Sequence, residues 1–147
     1  MIYTSLTKQA LRLCFDAHRE QTDKTGLPYV FHPFHLAEQM DNEETVVAAL
    51  LHDVVEDSET TFEDLCEMGF DKKIVEALKL LTHDPKVEYM DYVKALKNNP
   101  IARAVKLADL RHNSDMSRLD PESIDEYAIK RAEKYKKAIK FLEDKTE

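Results

Sequence analysis

Tryptophan is absent from this sequence of 147 residues, and glycine and cysteine occur only twice each. The scarcity of glycine, with Gly26 and Gly69 alone, removes the Asn-Gly and Gly-X turns on which tight β-hairpins rely. Cys14 and Cys66 show no metal-ligand spacing, and both are expected to be reduced thiols packed in the core of a cytoplasmic protein. No stretch is apolar enough to cross a bilayer. Near the N-terminus, Lys8, Arg12, Asp16 and Arg19 break the unbroken apolar centre that a signal peptide needs. Positive charge is also short: 21 Lys and Arg stand against 29 Asp and Glu, a formal net charge of −8. A nucleic-acid polyanion would meet a repulsive field, so a phosphorylated ligand needs a local positive centre, from a metal or a few placed Lys and Arg.

What is present is helical rhythm. Hydrophobic residues make up 43% and charged residues 34%, a balance that suits a globular chain. Leu6, Ala10, Leu13, Cys14 and Ala17 trace one face of a first helix, followed by a loop at residues 23–28. A short helix is expected to start at Pro33. Asp41 or Asn42 can cap a third helix whose Val46, Val47, Ala48, Ala49, Leu50 and Leu51 are apolar nearly all round, the mark of a helix running through the core. Thr61 opens a capping box with Asp64, Gly69 is a plausible stop, and Asp71 can cap the next helix. Further helices are expected at about 89–98 and 101–113. Asp120-Pro121 reads as the start of a last helix with Ile124, Tyr127, Ala128, Tyr135, Ala138 and Leu142 on one face. The fold class is all-α, a single-domain bundle over residues 1–147.

Three segments carry chemistry. The third helix is expected to continue through His52-Asp53-Val54-Val55-Glu56-Asp57, so that Glu56 stacks on His52 and Asp57 on Asp53. Three carboxylates at a helix C-terminus oppose the macrodipole and repel one another, and a divalent cation relieves both problems. Imidazole beside carboxylate is a ligand set for Mn²⁺, Fe²⁺ or Zn²⁺. In residues 104–113, Asp109 sits within an apolar stretch and needs a cation, either Lys106 three residues before it or a metal; Asn113 shares its face. In residues 24–33, a loop with Lys24, Thr25 and Gly26 can offer donors to phosphate, and His32 lies just before Pro33. Among the other histidines, His18 could support the site from the first helix. His35 and His83 read as structural or surface, and His112 is expected to point elsewhere.

These three segments, in this order, resemble the HD phosphohydrolase superfamily, and most of all the hydrolase domain of the RelA/SpoT family, which removes the 3′-pyrophosphate from ppGpp. The resemblance implies an HD-type fold and one divalent ion, Mn²⁺ first and Fe²⁺ or Zn²⁺ as alternatives. It implies His32, His52, Asp53 and Asp109 as metal ligands. Glu56 and Asp57 match the acidic pair that acts on the attacking water, with either as the base. Lys24, Thr25, Lys106 and Asn113 are assigned to a phosphorylated purine nucleotide, with neither nucleic acid nor membrane as partner. Asp23 stands where the long enzymes of that family usually carry an Arg that helps hold the guanine base, and residues 114–119 also differ. Hydrolysis of another phosphorylated nucleotide, or nucleotide binding without turnover, are the alternatives.

Overall fold

The computed structural model describes residues 1–145, and among them the chain forms nine α-helices, two short 3₁₀ turns and no β-sheet. Local signals account for most of the boundaries. Thr4 caps α1 (Ser5–His18) through a reciprocal pair of bonds with Thr7. Asn42 Oδ1 accepts from the Thr45 amide at 2.9 Å and opens α3 (Glu43–Leu51), with Glu43 and Glu44 in its first turn, where the helix dipole favours them. Thr61 makes the expected capping box with Asp64 at α5 (Phe62–Glu67). Asp71 caps α6 (Lys72–Leu81), after Gly69 has taken the positive φ of 96° that ends α5.

Every residue of α3 from Thr45 to Leu51 is buried, and this helix is the axis of the fold. It packs against α1, α2 (Phe31–Glu38), α6 and α8 (Pro100–Asn113), while α9 (Glu126–Glu143) lies along α8. The apolar core is one cluster built on Leu36, Leu50, Leu51, Leu78, Leu96, Leu110 and their neighbours. Each of these fully buried side chains contributes about 1.5–3 kcal/mol of burial free energy. With α3 held on all sides, its C-terminal end is a rigid place from which to aim side chains. Among the described residues, no helix is long and apolar enough to cross a membrane.

Several expectations are corrected. α2 starts at Phe31, two residues before Pro33. The third helix does not run through to Asp57: it stops at Leu51, and a separate turn, α4 (Val54–Asp57), follows. The cause is local. The His52 ring N–H takes the Ala49 carbonyl at 2.7 Å, a group the next helical turn would use, and Asp53 leaves helical geometry at φ −114°, ψ 3°. Asp120-Pro121 opens only a 3₁₀ turn (Pro121–Ser123); the last helix begins at Glu126 with Asp125 as its cap, and Ile124 and Tyr127 are exposed. Cys14 is buried as expected, but Cys66 lies on the outer face of α5 and is exposed.

Candidate metal centre

The first turn of α2, the end of α3 and the interior of α8 each deliver one side chain to a common point. His32, His52 and Asp109 each offer a ligand atom, and these atoms lie within 4.8 Å of one another. All three residues are at most 7% exposed. His32 Nε2 is 2.9 Å and His52 Nε2 3.8 Å from Asp109 Oδ1. Asp53 Oδ2 lies 3.2 Å from His52 Nε2, on the edge of this group. The break after Leu51 makes that possible. On a continuous helix successive side chains point about 100° apart, whereas here His52 and Asp53 turn to the same place.

The donor set fits a divalent cation. A carbonyl only accepts, so His52 Nδ1 must carry the proton it donates to Ala49, and in the neutral imidazole this leaves the Nε2 lone pair for a cation. That atom is buried and has no hydrogen-bond partner. It faces two carboxylates instead, an arrangement that calls for positive charge between them. The same demand appears in the titration of His52. Burial pushes its imidazole down, but Asp53 and Asp109 outweigh burial and bring it up to about 9. Asp109 is held well below the usual carboxylate range: burial raises it, and Lys106, His32 and His52 together overcome that. Asp53 is likewise held low, because His52 and Tyr29 outweigh its burial.

Asp109 divides its oxygens. Oδ2 accepts from Lys106 Nζ at 2.9 Å, while Oδ1 faces the histidines and also accepts from Asn113 Nδ2 at 3.0 Å. The sequence leaves a basic side chain and a metal as alternative partners for this buried charge; the geometry gives Lys106 one oxygen and leaves the other to the cluster. Lys106 and Asn113 are thereby tied to Asp109, and each also lines a cavity of about 210 Å³ that opens beside the cluster. Asp53, Glu56, Tyr89, Tyr92 and Lys134 line the same cavity. Glu56 has its carboxyl pushed up by burial and by the neighbouring Asp53 and Asp57 charges. Asp57 does not line this cavity; it accepts from Gln21 Nε2 at 3.2 Å and lies 3.7 Å from His18 Nδ1.

A second cavity, of about 290 Å³, adjoins the first at Asn113 and Tyr135. Lys24 and Thr25 line it, with Arg118 and Arg131. Its loop is organised by Asp23, whose Oδ1 accepts from the Thr25 amide and hydroxyl and from the Leu27 amide at 2.6–3.0 Å. Gly26 supplies the positive φ of 85° the turn requires. Arg118 Nη2 reaches Asp23 Oδ2 at 3.4 Å from the segment after α8.

Two contributors escape sequence reasoning. Tyr29 donates its hydroxyl to Asp53 Oδ2. His112, expected to point elsewhere, lies instead with its Nδ1 2.7 Å from Nδ1 of His32, the two rings within 10° of parallel. The signal was present in spacing, since residue 112 lies three after Asp109, but a lone His is rarely informative.

Comparison with known proteins gives the family. Residues 10–112 match the model of the family described as HD domain. The chain is 34% identical over 121 residues to the Escherichia coli bifunctional (p)ppGpp synthase/hydrolase SpoT; the match takes in 72% of this chain and spans 17% of that protein's length. It is 33% identical over 146 residues to the Danio rerio guanosine-3′,5′-bis(diphosphate) 3′-pyrophosphohydrolase MESH1, covering 90% of this chain and 79% of the relative. The human MESH1 is 34% identical over 126 residues, with 76% and 70% covered. In three dimensions the chain superimposes on a solved metazoan orthologue of SpoT with a TM-score of 0.75 over 99% of its length, at 24% identity, which shows the same fold. A helical core that ends on a His-Asp pair, and a family match that runs from α1 to the end of α8 across all three segments, lead to one conclusion: the chain belongs to the HD domain family.

Proposed function

We propose that this chain is a metal-dependent phosphohydrolase that releases pyrophosphate from the 3′ position of guanosine 3′,5′-bis(diphosphate) or a closely related nucleotide. One observation carries the reading: the buried His32, His52 and Asp109 converge beside a cavity that also holds a carboxylate, Glu56, and two ammonium groups, Lys106 and Lys134. The activity for which the MESH1 relatives are named, proteins that this chain matches over most of both lengths, supplies the substrate.

His32, His52 and Asp109 would hold the ion, with Asp53 the nearest further carboxylate, steadied by Tyr29. The donor set of two imidazoles and carboxylates suits Mn²⁺, Fe²⁺ or Zn²⁺, and the resemblance to the RelA/SpoT hydrolase domain puts Mn²⁺ first. A bound divalent ion supplies Lewis-acid polarisation of a phosphoryl oxygen and makes water more acidic. Glu56 is the base: it lines the cavity, and its raised pKa makes it a stronger proton acceptor than an ordinary carboxylate. Asp57, turned toward Gln21 and His18, positions α4 rather than touching the reacting water. Lys134 and Lys106 stabilise charge on the departing pyrophosphate, and Asn113 stands between the two cavities. Lys24, Thr25, Arg118 and Arg131 form the end that takes the nucleoside and its 5′-phosphates. A cytoplasmic setting fits two free cysteines, one of them exposed.

The test is pyrophosphate release from ppGpp by the purified chain, with Mn²⁺ and with chelator, beside a panel of other phosphorylated nucleotides. Mn²⁺-dependent release from ppGpp is expected. Turnover confined to another nucleotide moves the substrate and keeps the centre. Metal and nucleotide binding without turnover of any substrate makes the chain a binding module.

A further inference from the structure

Both buried histidines of the cluster are backed by a second polar atom. For His52 it is the Ala49 carbonyl, an acceptor that no side-chain change can remove. For His32 it is a side chain: Nδ1 of His112, 2.7 Å from Nδ1 of His32. The His112 ring lies nearly parallel to that of His32, with centroids 4.9 Å apart, and the His35 ring lies 4.3 Å from it. Arg118 Nη1 donates to the His112 carbonyl at 2.8 Å, which ties the end of α8 to the segment after it. His35 thus packs against the ring, and Arg118 anchors the main chain that carries it.

Two Nδ1 atoms at this distance share one proton: one ring donates and the other accepts. A cation held by His32 Nε2 uses that lone pair, so the proton of His32 must then sit on Nδ1. The only role left for His112 Nδ1 is acceptor, with its own proton on Nε2. We propose that His112 is the positioning residue of the metal centre: it accepts from His32 Nδ1–H and so fixes the tautomer and ring plane that aim His32 Nε2 at the cluster. This rests on the metal reading given above, and it gives His32 the same kind of backing acceptor that His52 draws from the main chain. Outer partners of this kind typically carry 10–100-fold in metal affinity.

The experiment is a Mn²⁺ titration of the full chain, of His112→Phe and of His112→Asn, followed by the electron paramagnetic resonance of the free ion, with the melting midpoint of each protein in chelator as a control on folding. His112→Phe keeps a ring and loses the acceptor; His112→Asn restores an acceptor at the same place. The expected result is a Kd raised about 10–100-fold in His112→Phe, largely rescued in His112→Asn, with melting midpoints in chelator close to that of the parent. Mn²⁺ bound as tightly by His112→Phe as by the parent overturns the proposal while leaving the metal centre intact. A parent chain that binds no divalent ion overturns the metal reading and this inference together. Should His112→Phe fail to fold, the parent alone decides. In ¹H–¹⁵N spectra of its Zn²⁺-loaded form, His112 is expected to be protonated on Nε2 and His32 on Nδ1, and a proton on His112 Nδ1 overturns the proposal.

Discussion

The two cavities that meet at Asn113 and Tyr135 are built on opposite plans. One has at its base two carboxylates set on the core, Asp109 on α8 and Asp53 where α3 ends, the first answered by Lys106 and His32 and the second by His52 and Tyr29. The other sets a loop and the segment after α8 against Arg131 and Tyr135 of α9, and the two irregular segments are joined by a pair 95 residues apart in sequence, Asp23 and Arg118. In the first, moving one side chain strands another without a partner. In the second, water can replace much of what is lost. Positions that chemistry must fix sit on rigid elements, and positions that select a ligand sit on loops that can vary.

The sharpest way to break this contrast is Asp109→Ala. It leaves Lys106 buried without its carboxylate and removes the acceptor of Asn113. Stranding one partner of a buried pair costs about 3–5 kcal/mol, so the chain is expected to unfold at markedly lower denaturant, to lose its metal and to show no turnover. Next is Glu56→Gln, expected to lower kcat by about 10²–10⁴-fold while Mn²⁺ affinity and the unfolding curve stay at parent values. A fully active Glu56→Gln protein would remove Glu56 as the base.

How far this could be read in advance follows the same division. The caps at Asn42, Thr61 and Asp71 and the buried α3 are local matters, fixed by residues within a turn of one another, and the sequence displays them. The residues of the cluster lie in the three segments that the sequence singles out, because buried carboxylates and imidazoles stand out against apolar surroundings. What was not legible depends on contacts formed only after folding. The break at His52-Asp53 arises from a ring competing for a main-chain carbonyl. The approach of His112 to His32 joins residues 80 apart, and Tyr29 reaches Asp53 across 24. The last helix begins later than its Asp-Pro signal suggests, because Asp-Pro starts a 3₁₀ turn as readily as an α-helix.

At the recognition end, the effects are expected to be smaller and to fall on KM. Asp23→Arg, suggested by the sequence pattern as a gain for guanine nucleotides, is expected to be a loss: it removes three loop bonds and sets two guanidinium groups against each other. A rise in KM of about tenfold, equal to about 1.4 kcal/mol, with kcat within twofold, would fit; improved turnover would show that Asp23 is dispensable to the loop. Smallest of all is the stability change in Arg118→Ala, about 1 kcal/mol or less, because the Asp23 pair is partly exposed. A larger loss on denaturation would place the recognition end among the rigid parts of the molecule and erase the contrast.

The most direct measurement of the whole is pyrophosphate release from ppGpp by the parent chain in Mn²⁺, in chelator, and in chelator followed by restored Mn²⁺. The cluster of His32, His52 and Asp109 predicts release, its loss, and its return, with His52→Ala inert throughout. Release that continues undiminished in chelator, or in His52→Ala, would contradict a metal centre at these residues.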